Sequence, residues 1–248
     1  MRRRKRKYAI LSIVSGIIAA ASICAAILIN NDAITKIIDL NIYKRNYTDE
    51  DASTLEHPYL SETTYDSSND IDLRVFDYPF YNDVGEYLSN IDLYSSYPEV
   101  FESMYSKVKL STDNFFTSIL GTGYRTINEN EDSFTESLMS VITEDSIHGM
   151  SSDEYVSDIK EFISSAEYQG SATFESDTSL IWFSDYGYIR GVLTLDVYNI
   201  NGETDSDVYA DGLEIVDQKK YIVDVSVVVS DDLNTVKISD YKIVADIS

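Results

Sequence analysis

The stretch that decides the fold is VDVSVVVS, residues 223–230. Four valines alternate in it with three polar residues: Val223, Val225, Val227 and Val229 against Asp224, Ser226 and Ser230. A period of two puts the valines on one face, since successive side chains of a strand point to opposite sides. This pattern predicts a half-buried antiparallel strand.

Further strands are predicted on both sides of this stretch. Residues 181–183 form a short apolar run and residues 188–198 a longer one, separated by the turn residues Asp185-Tyr186-Gly187. In residues 236–247 the apolar positions change parity after Ile238 and continue from Tyr241. A one-residue phase change of this kind predicts a β-bulge near Ser239-Asp240.

The half of the domain that precedes the strands has helical periodicity. Apolar residues share a face over residues 84–91, and Pro98 suits the first turn of a second helix. A short helix over residues 113–120 and an apolar stripe over residues 134–142 follow. Ser151 and Glu154 form a capping box that opens a last helix through Ile163. Helices followed by antiparallel strands predict an α+β domain over residues 79–248, with the helices packed on one face of a curved sheet.

Residues 30–78 are expected to connect this domain to what precedes it. Isoleucines at helical spacing over residues 34–42 predict a stalk, which we assign to residues 30–46. Residues 47–78 are acidic and rich in Ser and Thr, with Arg74 as the one basic residue and few aliphatic side chains. Such a segment has little to bury, so we expect an acidic flexible linker there.

The first 29 residues have the pattern of a membrane anchor. Residues 2–7 are all basic, and the next 22, residues 8–29, carry no charge. A helix of that length covers about 33 Å, enough for a hydrocarbon core of about 30 Å. Under the positive-inside rule residues 1–7 stay in the cytoplasm and the C-terminal domain is translocated. We therefore expect a single-pass protein of the cell membrane.

Two alternatives to this anchor are a cleaved signal peptide and a lipoprotein. Ala19, Ala20 and Ala21 offer small residues for cleavage, although the apolar run continues beyond them. Cys24 is the single cysteine, but Ile23 and Ala21 before it stand in the reverse of the order that a lipobox requires. We favour the uncleaved anchor, with Cys24 as one of its apolar residues. The exported part then has no disulfide.

The charge of the exported part excludes nucleic acid as a partner. Outside the basic tail, 13 Lys and Arg stand against 43 Asp and Glu, a formal charge of −30. Nucleic-acid binding depends on cations that displace counterions from phosphates, and this surface has the opposite sign. The partners expected from sequence are the membrane, through residues 8–29, and other proteins or further copies of this chain.

No sequence motif predicts catalysis, a cofactor or a metal site. The two histidines, His57 and His148, cannot build a three-ligand zinc site alone, and no P-loop or dinucleotide fingerprint is present. Four acidic residues crowd residues 199–212, yet they lack the spacing of a calcium loop, so a solvated hairpin loop is expected there. Catalytic residues, cofactors and metal ligands are accordingly predicted to be none.

One aromatic group is the candidate for ligand binding: Trp182, Phe183, Tyr186 and Tyr188. Such residues offer large apolar surfaces, with polar tips on Trp and Tyr, and suit the wall of a pocket on the sheet. Ordinary packing within the sheet is the alternative.

The order of basic tail, anchor, stalk, helices and sheet resembles a known group. Residues 1–29 in topology, and about 80–248 in element order, are similar to the bitopic assembly factors of type IV secretion and conjugation machines. The resemblance implies that the exported domain is a nuclear-transport-factor-two-like roll. It also implies a noncatalytic scaffold or interaction module of a bacterial envelope complex. The alternative function is the binding of a small ligand or cell-wall fragment outside the cytoplasm.

Overall fold

The computed structural model describes residues 57, 59–60, 63–79, 94–144, 146–183, 187–202, 207–230 and 235–248. The predicted basic tail, anchor, stalk and first helix (residues 84–91) lie outside these residues. No helix in the described ranges is long and apolar enough to cross a membrane.

The predicted α+β class is confirmed, because helices precede an antiparallel sheet on which they pack. The helices are α1 (Pro98–Leu120), α2 (Tyr124–Glu129), α3 (Glu131–Val141) and α4 (Ser152–Ser165). The strands are β1 (Gln169–Glu175), β2 (Ile181–Phe183), β3 (Gly187–Asn199), β4 (Lys220–Val229) and β5 (Val236–Asp246). Short 3₁₀ turns occupy Leu73–Phe76 and Thr178–Leu180.

Helix α1 is one continuous element of 23 residues, where the sequence predicted two helices. Pro98 stands in its first turn as predicted. The middle of the helix contains Ser111 and Thr112, which are buried and polar. Their hydroxyls donate to the carbonyls of Val236 and Val108, each at 2.9 Å. The helix continues through them because both hydroxyls are satisfied inside the core.

Helix α4 begins where the capping pattern placed it. Ser151 is the N-cap residue, and its hydroxyl accepts a hydrogen bond from the backbone N–H of Glu154 at 3.3 Å. This contact satisfies one of the free N–H groups of the first turn. The helix ends at Ser165, and Glu167 turns the chain toward β1 with a φ of 47°.

The sheet has the order β1-β3-β4-β5, with β2 paired to the other end of β3, and all pairs are antiparallel. The predicted bulge is confirmed, because Ser226 pairs with Asp240 and Val227 pairs with Ile238, which leaves Ser239 without a register partner on β4. Strand β1, with the sequence QGSATFE, was not predicted.

One face of the sheet packs on the helices through aromatic side chains. The ring of Tyr241 on β5 makes edge contacts with Phe115 and Phe116 of α1, at 5.5 and 5.6 Å between centroids. Tyr155 of α4 stacks on Phe115 at 6.5 Å. All four rings are buried, so this face forms the main core of the domain.

The opposite face is partly covered by residues 63–79, so the part of the predicted linker from residue 63 to residue 78 is packed on the sheet. Its buried side chains form a second core with the sheet: Ile71, Val75 and Phe76 pack with Leu180, Val192, Ile222 and Ile247. Asp177 accepts hydrogen bonds from Asp66 N at 3.1 Å and from Asn69 Nδ2 at 2.9 Å. A few apolar residues are enough to order this segment, because they pack on apolar side chains of the sheet. Its polar groups form hydrogen bonds with residues more than 100 positions away, such as Asp177.

The loop between β3 and β4 also differs from the expected solvated hairpin. Val208, Tyr209 and Ala210 are buried, and the Tyr209 hydroxyl donates to the carbonyl of Ile119 at 2.9 Å. Asp207 and Asp211 remain exposed. Within the described ranges, no group of three or more His, Cys, Asp or Glu is arranged to hold a metal ion.

Candidate functional site

A cavity of about 120 Å³ lies where β2, β3, β4 and β5 run side by side. Its walls include Trp182, Tyr188, Asp224, Ser226, Asp240, Tyr241 and Lys242. Strand register brings these positions together, since Ser226 pairs with both Tyr188 and Asp240, and Asp224 pairs with Lys242. Tyr241 points to the helices, so its neighbours Asp240 and Lys242 point to the other face of the sheet. The cavity therefore opens on the face opposite α1.

An aromatic pair forms one wall of the cavity. Trp182 and Tyr188 are register partners on β2 and β3, and their rings stack with centroids 4.3 Å apart and an interplanar angle of 18°. Both were predicted ligand contacts, and the structure brings both to the cavity. Phe183 pairs through its backbone with Gly187 at the end of β2, and Tyr186 lies outside the described residues.

Beneath the cavity lies a buried ion pair between neighbouring strands. Arg190 Nε lies 2.6 Å from Asp224 Oδ1, and its Nη2 lies 2.9 Å from Oδ2. Arg190 is fully buried, and the Asp224 side chain is 8% exposed. The remaining donors of the guanidinium reach carbonyl oxygens of residues 75–79: Val75 at 3.3 Å, Tyr78 at 2.7 Å and Pro79 at 2.9 Å. The carboxylate of Asp224 is thus already neutralised inside the fold.

Two further charges stand at the rim. Lys242 is 73% exposed, and its ammonium lies 3.6 Å from Asp224 Oδ2. Asp240 is 59% exposed, and its Oδ1 accepts from the backbone N–H of Tyr241 at 2.8 Å. Residues two apart on a strand face the same way, so these opposite charges lie on one face of β5, with Cα atoms about 7 Å apart.

His148 borders the same rim from the loop between α3 and α4. Its Nδ1 lies 3.2 Å from Asp240 Oδ1, and its ring stacks on Tyr241 at 5.6 Å between centroids. The backbone of His148 is left-handed, with a φ of 51°. Burial raises the pKa of the Tyr241 phenol further above its ordinary value. His148 is thus oriented by a carboxylate.

The sequence predicted the aromatic residues of the cavity wall but not its charged residues, Asp224, Asp240 and Lys242. The alternation in residues 223–230 put Asp224 on the polar face of a half-buried strand, whereas it is buried against Arg190. The usable signal was Arg190 itself, a charge between Ile189 and Gly191 in an apolar strand, because a buried arginine requires a carboxylate partner.

Comparison with known proteins gives no family for this chain. No protein-family model matches it, and no curated protein matches it. Among solved structures, it is similar to Bdellovibrio bacteriovorus Bd1075, with 14% identity and a TM-score of 0.29. The aligned part covers 51% of this chain and 37% of that one, so this chain matches well under half of its length. A likeness at that TM-score carries no argument about fold or function.

Proposed function

We propose that this protein is a noncatalytic binding module, held outside the cytoplasm by an anchor over residues 8–29. Its cavity binds a small ligand or a cell-wall fragment. The stacked pair of Trp182 and Tyr188 carries this proposal, because it forms an aromatic wall beside the polar groups of Ser226, Asp240 and Lys242. An aromatic wall with a few converging polar groups is the usual composition of a small-molecule site.

A binding function without catalysis is supported by the state of the two carboxylates. Most glycosidases use two cooperating carboxyl groups. Here Asp224 is engaged by both prongs of Arg190, which leaves Asp240 as the carboxylate at the rim of this cavity. With Asp224 held in an ion pair, the carboxylates Asp224 and Asp240 are suited to holding a ligand rather than to proton transfer.

The location of the module outside the cell membrane is supported by charge. Six basic residues precede 22 uncharged ones, and the remaining chain has a formal charge of −30. The nuclear-transport-factor-two-like roll is part of the same proposal, supported by helices that precede and pack on an antiparallel sheet. The cytoplasmic tail in this arrangement is residues 1–7.

A second candidate is an interaction module or scaffold in an envelope complex of the secretion or conjugation type. The observation that favours it lies at the far end of the sheet from the cavity. Strand β1 lies at an edge of the sheet, and Tyr198 on the neighbouring strand β3 is 69% exposed. An edge strand with an exposed tyrosine suits contact with another protein or another copy of the chain.

Thermal unfolding of the full-length chain in detergent tests the ligand-binding proposal. The panel of added compounds contains amino acids, neutral sugars and soluble cell-wall fragments. We expect at least one class to raise the unfolding temperature of the wild type but not that of Trp182→Ala or Tyr188→Ala. The exposed Tyr198→Ala is the matched aromatic control and should keep the response.

The outcome that overturns the proposal is the absence of any shift, or an equal shift in Trp182→Ala. Crosslinking in membranes tests the second candidate separately. Oligomers or a defined partner that disappear with Tyr198→Ala support it, and a strictly monomeric chain contradicts it.

A further inference from the structure

We infer that the ligand of the cavity is a small zwitterion of the α-amino acid class, about the size of glycine or alanine. This inference rests on the proposed binding function and names its ligand chemistry. It follows from three properties of the cavity, namely the arrangement of the charges at its rim, its volume and its aromatic wall.

The rim carries one anion, Asp240, and one cation, Lys242, and each retains hydrogen-bonding capacity for a further partner. In the described part of the chain, Asp240 Oδ1 carries the contacts to Tyr241 N and His148, and Oδ2 carries no hydrogen bond. The Lys242 ammonium is mostly in solvent, and its distance of 3.6 Å from Asp224 is longer than a hydrogen bond. Oδ2 therefore suits an ammonium group, and the Lys242 ammonium suits a carboxylate.

Because of the buried ion pair, Asp224 does not contribute to the net charge that the cavity presents to a ligand. Because Arg190 neutralises Asp224, the net charge of the site is the sum of Asp240 and Lys242, which is zero. A net charge of zero disfavours a simple anion or a simple cation, each of which would leave one rim charge facing its own sign. A molecule with both charges complements both groups at once.

The volume limits the part of the ligand that is enclosed. A cavity of about 150 Å³ holds one benzene molecule, which has six non-hydrogen atoms. The present cavity, at about 120 Å³, therefore encloses about five such atoms. Glycine and alanine have this size. A pyranose ring with its hydroxyls is about twice as large and could only rest on the rim.

The aromatic wall completes the match. The Trp182–Tyr188 pair lies beside the charged rim, so a ligand that spans Asp240 and Lys242 turns its Cα and any methyl group toward the rings. Ser226, in register with both Tyr188 and Asp240, adds a hydroxyl near the centre. The site thus offers a cation acceptor, an anion donor and an apolar surface to one small molecule.

The single tryptophan of the chain gives a direct probe, because Trp182 is in the cavity wall. The experiment titrates the emission of the full-length chain with glycine, L-alanine, D-alanine, acetate, methylammonium and N-acetylglucosamine. We expect saturable changes with glycine or an alanine, and at least tenfold weaker binding of acetate and methylammonium. Asp240→Asn and Lys242→Met should each weaken amino acid binding at least tenfold, while Lys242→Arg retains it.

Matched controls are Asp211→Asn and Lys220→Met, which change exposed charges away from the cavity and should leave the titration unchanged. Equal urea midpoints for all variants exclude a folding effect. If N-acetylglucosamine alone changes the emission, the zwitterion inference is wrong and the proposed binding function stands. If no compound does so here, and none shifts the unfolding temperature in the wider panel, both fail.

Discussion

Arg190 and Asp224 stand opposite each other on β3 and β4 and are joined by two hydrogen bonds, of 2.6 and 2.9 Å. The same guanidinium binds three carbonyl oxygens of residues 75–79. The Arg190 side chain therefore holds residues 75–79 against the sheet and also neutralises the Asp224 carboxylate in the cavity wall. Its fork of donors makes both contacts possible.

Removal of Arg190 should be among the most destabilising changes in the domain. Arg190→Met leaves Asp224 buried without a partner and should lower the free energy of unfolding by about 3–5 kcal/mol. Arg190→Lys keeps the charge but loses the fork, and should recover only part of this loss. Urea unfolding of the full-length chain measures both.

A double variant separates the ion pair from the carbonyl contacts. Arg190→Met with Asp224→Leu should cost less than the sum of the single changes, because no buried charge remains unpaired. Strict additivity, or a cost below about 1 kcal/mol for Arg190→Met alone, contradicts the central role of this pair.

Gly191 should not tolerate a side chain. A Cβ there would stand 2.3 Å from the carbonyl oxygen of Glu175 and 2.5 Å from Phe174 Cζ, which is buried against Phe116. Gly191→Ala should therefore lower the free energy of unfolding by about 1–3 kcal/mol. At Gly123 the nearest atom is the flexible Gln169 Cγ at 3.2 Å, so Gly123→Ala is the control and should cost clearly less. Equal denaturation midpoints for the two variants would show that β1 shifts to accommodate the added methyl group.

The cap of α4 should contribute measurably to stability. Ser151→Ala removes the acceptor for the Glu154 N–H and should cost about 1 kcal/mol. Ser157→Ala, at an exposed position of the same helix, should be close to neutral. Thermal unfolding of the two variants provides the comparison, and a neutral Ser151→Ala would mean that solvent replaces the cap.

The contact between Lys219 and Asp246 predicts a specific response to acid. A hydrogen bond from Lys219, 2.5 Å long, lowers the pKa of Asp246 from its ordinary 3.8 to about 2. Because the folded pKa is depressed, this contribution to stability is present above about pH 4 and is lost as the pH falls toward 2.

The test is the urea midpoint of the wild type and of Asp246→Asn between pH 5 and pH 2. The variant should be less stable at pH 5, and the difference should shrink as the pH falls. Lys219→Met should raise the pKa of the Asp246 carboxyl, followed by NMR, part of the way toward 3.8, because the hydrogen bonds from Ser248 still lower it. A constant difference across this range would exclude the contact.

The sequence predicted those parts of the fold that depend on local periodicity. The phase change after Ile238 placed the bulge at Ser239, and the Ser151–Glu154 pattern placed the start of α4. Strand β1 escaped prediction because QGSATFE is short, polar and at the edge of the sheet, where alternation is weak. The break expected within α1 reflected Ser111 and Thr112, whose partners lie in the folded core.

Prediction of the site was limited by strand register. Trp182 and Tyr188 are close in sequence, so composition alone could suggest an aromatic wall. Asp224, Asp240 and Lys242 reach the cavity from other strands, and only the pairing of β3, β4 and β5 brings them there. The packing of residues 63–79 depends likewise on a surface made by residues much later in the chain, which local composition does not reveal.

The surface on which residues 63–79 pack is formed in part by residues near the C-terminal end of the domain, and this affects the order in which the domain folds. Residues 63–79 leave the ribosome early, yet Arg74 Nη2 donates to the carbonyl of Ile247, 173 positions later, and Ile71 packs with Ile247 in the second core. Residues 63–79 therefore cannot complete their packing until the last strand has been made and paired. Contacts across such separations form slowly, so we expect closure of this face to follow the pairing of the last strand.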